Sequence, residues 1–246
     1  MSRVELQPAF VLHQRRYRET SLIIDVVTPD FGRVGLIAKG ARGSKKNLAA
    51  QLQTFRQLLL SWSGRSELRT LTTVEEVPSS GSKPPLHGEA LYCAYYINEL
   101  VLYLLPRDDS QVQAFATYSQ TLSALAEADC DYEAVLRLFE LNLLDSLGYK
   151  VELEHDVASA SPIRKDQSYS FRVDSGPVAR TFETDQELTV SGKTLLDLST
   201  EDLSDPETRV ESKKLLRGIV DYHLDNRPLK SRKMFKDMFG NGGRGS

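Results

Sequence analysis

Hydrophobic periodicity changes sharply along this chain close to residue 78, and that change restricts the fold more than any single motif. Ahead of it, "AFVLHQRRY", "ETSLIIDVVT", "GRVGLIAKGA", "FRQLLLSWSG" and "ELRTLTTVEEV" are short runs rich in β-branched and aromatic residues, parted by turn signals such as "TPDFG" and "SGRS". In "GRVGLIAK" the alternation sends Val34, Leu36 and Ala38 to one face and Arg33, Gly35, Ile37 and Lys39 to the other. Consecutive strands packed into about eighty residues predict a small barrel of the oligonucleotide-binding (OB) type, with one strand face in the core and the other free for solvent or a ligand.

Beyond the break the period is helical. "PSSGSKPPLHG" reads as a linker, after which Ala90, Ala94, Ile97, Val101 and Leu104 recur at helical spacing, as do Phe115, Tyr118, Leu122 and Leu125. "YEAVLRLFELNLLDSLGY" leaves so little polar face that it predicts a centrally placed helix, stopped at Gly148. "SYSFRVDSG" and "PVARTFET" predict a hairpin within 149–185, and "PETRVESKKLLRGIVDYHL" and "KSRKMFKDMF" predict two closing helices packed on the earlier ones. The fold class is therefore α+β: a five-stranded OB-fold β-barrel over 1–80, then a mainly α-helical domain over 81–246 with a small β-hairpin region near 149–185.

Charge and motif content narrow the function. The formal net charge is −3, yet residues 1–70 carry 12 Lys/Arg against 5 Asp/Glu, residues 209–246 carry 10 against 4, and the stretch between carries 9 against 25. A basic front and a basic tail around an acidic middle point to a polyanionic partner. No apolar run approaches the roughly 18–20 residues that span a bilayer, and the opening lacks a secretory h-region, so the expected location is the cytoplasm, away from membranes. Cys93 and Cys130, each single within a helix-like stretch, read as buried thiols. After Gly43 come Ser44 and only then Lys45, which is not a phosphate-binding loop; His13, His87, His155 and His223 are scattered, and neither a His-Glu-x-x-His pair nor a Gly-x-Ser-x-Gly elbow exists. The reading is a binding protein with no catalytic residues, no cofactor and no metal ligands.

"KGARGSKKN", at 39–47, concentrates the cations. Each Lys or Arg set beside a phosphate releases condensed counterions, so Arg33, Lys39, Arg42, Lys45 and Lys46 around one barrel edge supply affinity for a strand of any sequence. Arg16, Arg18, Arg65 and Arg69 extend that track. Tyr17, Phe31 and Trp62 are candidates to stack on bases, although an aromatic in such a strand belongs more often to the core. Phosphate contacts alone leave two other readings open, an RNA-binding barrel and a protein-only adaptor whose basic loop meets an acidic partner.

Taken in order, "AFVLHQRRYRETSLIIDVVTPDFGRVGLIAKGAR", "YINEL", "LRLFELNLLDSLGY" and "PLKSRKMF" resemble the RecO family of bacterial recombination mediators through nearly the whole chain. The resemblance implies an OB barrel followed by a helical domain. It also implies a monomer that binds single- and double-stranded DNA, anneals complementary strands and, with RecR, helps RecA replace single-strand-binding protein, in the cytoplasm and at the nucleoid during repair. For annealing, Lys230, Arg232 and Lys233 are candidates to hold a second strand. Members of the family dock the acidic, phenylalanine-ending tail of single-strand-binding protein on the helical domain. Arg137 matches the family's arginine there, although Leu138 follows it where some relatives have a second arginine. From its apolar neighbours alone, Arg137 either pairs internally, with Glu140 or Glu99, or emerges at a groove. Some relatives carry a four-cysteine zinc module after the "LGY" helix; the corresponding segment here has no cysteine, so no structural zinc is expected and ordinary packing must hold it.

Overall fold

The computed structural model describes residues 3–43, 48–77, 85–180 and 188–239. Strands β1 (Arg3–Tyr17), β2 (Ser21–Thr28), β3 (Gly32–Ala38), β4 (Gln57–Ser63) and β5 (Leu68–Glu76) close a barrel in the order β1-β2-β3-β5-β4. Only β3 and β5 pair in parallel. Closure depends on the length of β1, whose first half pairs with β4 and second half with β2. Register shifts at Val4/Gln7 and Val11/His13 bend it between the two. The alternation read in β3 holds: Val34, Leu36 and Ala38 join Ile24, Val26, Leu60 and Trp62 in one core, while Arg33 and Ile37 are half-buried and Lys39 is exposed. A short helix, α1 (Leu48–Gln51), lies between β3 and β4 and had no sequence signal strong enough to read.

Helices α2 (Gly88–Leu104), α3 (Val112–Leu125) and a final helix, Lys230–Phe239, fall in the same compact unit as the barrel, Met1–Ala128 with Leu229–Ser246. Of the expected linker over 78–88, residues 78–84 lie outside the described residues; the compact unit that holds the barrel runs on to Ala128 and resumes at Leu229. The outer face of β1 explains why these helices stay with the strands. Phe10 and Leu12 point away from the barrel core, and Phe10 packs against Phe115 and Tyr118 with ring centroids 5.4 and 5.2 Å apart. Asn98 Nδ2 donates to the Leu12 carbonyl, and Tyr118 Oη donates to Asn98 Oδ1 at 2.9 Å. Burial pushes the Tyr118 phenol up, which keeps it a donor. Glu99 accepts the Lys230 and Ser231 amides at 3.0 and 2.9 Å, capping the final helix at its positive end.

The second unit, Asp129–Pro228, contains α4 (Tyr132–Ser146), a sheet of order β7-β6-β8 formed by β6 (Ser168–Arg172), β7 (Gly176–Ala179) and β8 (Leu188–Ser191), then α5 (Gly192–Ser199) and α6 (Pro206–His223); the final helix is α7. Asp131 caps α4 by accepting the Ala134 amide at 3.1 Å, and Cys130 precedes that cap rather than lying inside a helix. Gly148, at φ +83, ends the helical run and lets the Tyr149 amide fold back to the Leu144 carbonyl at 2.9 Å. The expected hairpin is β6–β7; β8, which pairs on the other side of β6, and α5 carry no sequence signal of comparable strength.

Carboxylates hold the cysteine-free segment. Asp156, 5% exposed, accepts the amides of Ala158, Ser159 and Ala179 at 2.8, 3.0 and 2.8 Å. Burial raises its pKa, but the three donors outweigh burial and the net shift is downward. Glu152 accepts the amides of Glu154 and His155, both at 2.9 Å, with the same balance. At the α5–α6 joint, Lys193 Nζ donates to Asp197 at 2.8 Å, to Thr208 at 3.0 Å and to Asp205. Glu211 accepts the Ser191 hydroxyl at 2.6 Å and that of Thr194 at 2.7 Å. Among the described residues no cluster of three or more His, Cys, Asp or Glu is placed to hold a metal, and no helix is long and apolar enough to cross a membrane.

Candidate nucleic-acid interface

Register decides which of the sequence-chosen cations meet. Tyr17 pairs with Ser21 and Leu22 with Ala38, so the β1–β2 turn and the exit of β3 lie side by side at one end of the barrel. Arg16, Arg18 and Lys39 are exposed on this rim, with Arg15 from the same run, which the sequence reading passed over although it sits between His13 and Tyr17 in "HQRRY". Arg18 takes a left-handed backbone, φ +52, and its guanidinium lies 5.2 Å from the Tyr17 ring centroid. Arg42 has a different task. Its Nη2 donates to the Arg18 carbonyl at 3.0 Å and to the Glu19 carbonyl, and its own amide donates to Thr20 at 2.9 Å. It braces the turn that displays Arg18. Lys45 and Lys46 lie outside the described residues.

Arg65, exposed on the β4–β5 turn, belongs to the other end of the barrel, because Ser63 pairs with Arg3, the first residue of the strand whose last residue is on the rim. Arg33 and Arg69 are engaged within the unit. The α2–α3 connector, residues 105–111, returns across the outer side of β2 and β3. Arg33 Nε donates to the Leu105 carbonyl at 3.2 Å, Arg107 Nη2 meets Asp25 at 2.9 Å, and Arg69 Nη2 meets Asp108 at 2.6 Å. The Asp108 amide donates to the Arg33 carbonyl at 3.1 Å and the Gln111 amide to Pro29 at 2.9 Å. Burial, then the neighbouring Arg107, lowers the pKa of Arg33, with Asp25 acting the other way. No local signal in "PRDDS" announces this return; it follows from where α2 and α3 are anchored on β1.

Of the three aromatics, Trp62 is 1% exposed in the barrel core and Phe31 stands edge-on to it at 5.4 Å, so Tyr17 alone remains at the rim. Lys230 and Lys233 are exposed on α7, whereas Arg232 lies 5.5 Å from the Tyr96 ring centroid and donates to its hydroxyl at 3.3 Å. In the second unit Arg137 is 7% exposed and donates to Glu140 at 2.7 Å, which is the internal pairing among its two sequence alternatives.

Residues 1–79 match the family model described as "Recombination protein O N terminal", and residues 86–233 match "Recombination protein O C terminal". A DNA repair protein RecO of Dechloromonas aromatica is 44% identical over 239 residues, which cover 96% of this chain and 97% of the relative. Proteins of the same description from Nitrosococcus oceani and Nitrosospira multiformis are each 44% identical over 236 residues, covering 96% of this chain and 94% and 96% of the relatives.

Proposed function

The chain belongs to the RecO family of DNA repair proteins, and from that premise we propose that it is a non-catalytic recombination mediator that binds single- and double-stranded DNA. In this reading it anneals complementary strands and, with RecR, helps load RecA onto DNA coated by single-strand-binding protein, in the cytoplasm and at the nucleoid. Residues 1–80 form the nucleic-acid domain, and the remainder, to residue 246, serves partners and a second strand. The observation that supports it is the rim, where Arg15, Arg16, Arg18 and Lys39 stand exposed around a turn braced by Arg42. Exposed cations on a rigid turn track a phosphate backbone without reading bases. On α7, Lys230 and Lys233 are the candidates to lower repulsion between two backbones brought together for annealing. For the acidic tail of single-strand-binding protein, Arg137 serves only if the incoming carboxylate takes the place of Glu140.

The test is Arg18→Ala combined with Lys39→Ala, measured against single-stranded oligonucleotides over a salt series. Affinity is expected to fall about equally for all sequences, with the log–log salt slope flattened by roughly 0.7 per lost phosphate contact. Emission from the buried Trp62 should not move. An unchanged slope removes the rim from the site. A wild-type protein that binds no nucleic acid at low salt returns the chain to the protein-only adaptor reading, and a clear preference for RNA in competition returns it to the RNA-binding one.

A further inference from the structure

We propose that the α2–α3 connector is a clasp that competes with DNA: Asp108 holds Arg69 in the place a strand phosphate would take, and a bound strand displaces it to gain a second contact surface beside β3. This rests on the DNA-binding reading above. In an OB barrel the outer side of the second and third strands is a common oligonucleotide surface. Here that side is covered by the protein's own acidic turn.

Four observations carry the inference. Gly32 and Gly35 fit the connector to the barrel. A Cβ on Gly32, which sits at φ +55, would stand 1.9 Å from the Asp109 carbonyl oxygen, and one on Gly35 would stand 3.2 Å from Arg107 Nη1. The guanidinium of Arg69 is half-satisfied: Nη2 holds Asp108, while Nη1 is buried and has no hydrogen-bond partner among the described residues. A phosphate accepts two parallel N–H groups from one guanidinium, so it can offer Arg69 what a single carboxylate oxygen does not. The backbone of the clasp is fixed, by the Asp108 amide on the Arg33 carbonyl, but the Asp108 carboxylate is held by Arg69 and is 40% exposed. Residues 106–110 are all exposed, and Asp108 is in the left-handed region at φ +57, a conformation with a local cost for a residue other than glycine. Finally, the connector has separate anchors on either side of the acidic pair, Arg107 on Asp25 and Gln111 on Pro29. The Asp108 carboxylate can therefore turn out to solvent while Arg107 stays on Asp25 and the Asp108 amide on the Arg33 carbonyl, so that Asp25 keeps its partner as Arg69 is released.

The experiment is an anisotropy titration of a labelled 20-mer oligo-dT against the full chain, with Asp108→Asn, Arg69→Ala and the double variant, across a salt series. Asparagine tolerates the left-handed backbone, so Asp108→Asn removes the charge and keeps the turn. It is expected to tighten binding by about 3- to 10-fold and to steepen the salt slope by about 0.7, one phosphate contact. Arg69→Ala alone should change affinity less than about two-fold, yet it should erase the gain in the double variant, since the two effects share one contact. The inference is overturned by an Asp108→Asn protein with native Trp62 emission and no gain, by a gain that survives Arg69→Ala, or by an Arg69→Ala loss as large in the wild-type as in the Asp108→Asn background. Asp108→Gly, also suited to the backbone, repeats the test if the asparagine variant folds poorly. Wild-type binding without a gain leaves the DNA reading standing and removes the clasp alone; no binding by either protein removes both.

Discussion

The barrel unit and the Asp129–Pro228 unit keep their charges in opposite places. In the barrel, an apolar core of strand residues such as Ile24, Leu36, Leu60 and Trp62 makes the structure, and, apart from the cations that hold the connector and the β1–β2 turn (Arg33, Arg42, Arg69 and Arg107), cations are left over at the rim. In Asp129–Pro228, charge is part of the framework: Arg137 is paired with the fully buried Glu140, Asp156 gathers three backbone amides, and Lys193 ties α5 to α6. Among the described residues, the carboxylates held below their ordinary range, Glu152, Asp156, Asp197, Asp202 and Glu211, lie in the second unit. The difference teaches that a cation in this chain is evidence for a ligand only after its internal partners are known. A charge with no structural task is available for DNA at once, whereas one that closes a fold must first be released from its partner.

The largest expected effect tests this directly. Arg137→Ala removes the cation beside Glu140, which is 0% exposed, and breaking a buried pair from one side costs about 3–5 kcal/mol. Arg137→Met with Glu140→Leu, which removes both charges, should recover most of that loss. Denaturant unfolding with hydrogen exchange on the α4 peptides measures both. If Arg137→Ala keeps full stability while losing affinity for an acidic tail peptide, Arg137 belongs with the rim cations and the contrast between the units fails.

A smaller effect is expected at Asp156. Asp156→Ala leaves the amides of Ala158, Ser159 and Ala179 without their common acceptor, at a cost of about 2–3 kcal/mol. Exchange protection should fall across 156–179 while Trp62 emission in the barrel keeps its midpoint. A matching shift of the Trp62 transition would show that the two units do not differ in what holds them.

This contrast also explains what the sequence disclosed. β3 was readable because its two faces differ: Val34, Leu36 and Ala38 face the core and Lys39 faces solvent, a pattern set by the backbone period alone. The α4 stop was readable because Gly148 marks it locally. β8, α5 and the loop around Asp156 were not, since their order comes from side chains bonding backbone far along the chain, such as Asp156 to Ala179 and Glu211 to Ser191, and no periodicity encodes such spacings. The rim was half readable for a related reason. Composition marks Arg16, Arg18, Lys39 and Arg42 alike, and only the bonds of Arg42 to the Arg18 and Glu19 carbonyls separate the brace from the others. Arg33 and Arg69 read as free cations because nothing in "LLPRDDSQ" says that it crosses the barrel.

The gentlest probe of the comparison is acid. For Asp156 and Asp197, whose ordinary value is 3.8, and for Glu152 and Glu211, at 4.5, burial raises the pKa while the hydrogen bonds they accept lower it further. For Asp202, the bonds from Ser204 are the leading cause of the downward shift. A depressed carboxylate binds fewer protons folded than unfolded, so its contribution is complete above the ordinary value and is lost as pH falls through the folded one. Each loss is small, but all of them fall on Asp129–Pro228. Below about pH 4.5, exchange protection in 152–179 and 191–211 should therefore decline before Trp62 emission moves, and Asp156→Asn should flatten the decline in the first segment because the asparagine has no proton to gain. Should Trp62 respond first, or should the two segments and the barrel respond together, the acid-labile framework would have to be shared with the strands, and the surplus cations at the rim could no longer be explained by a barrel that stands without them.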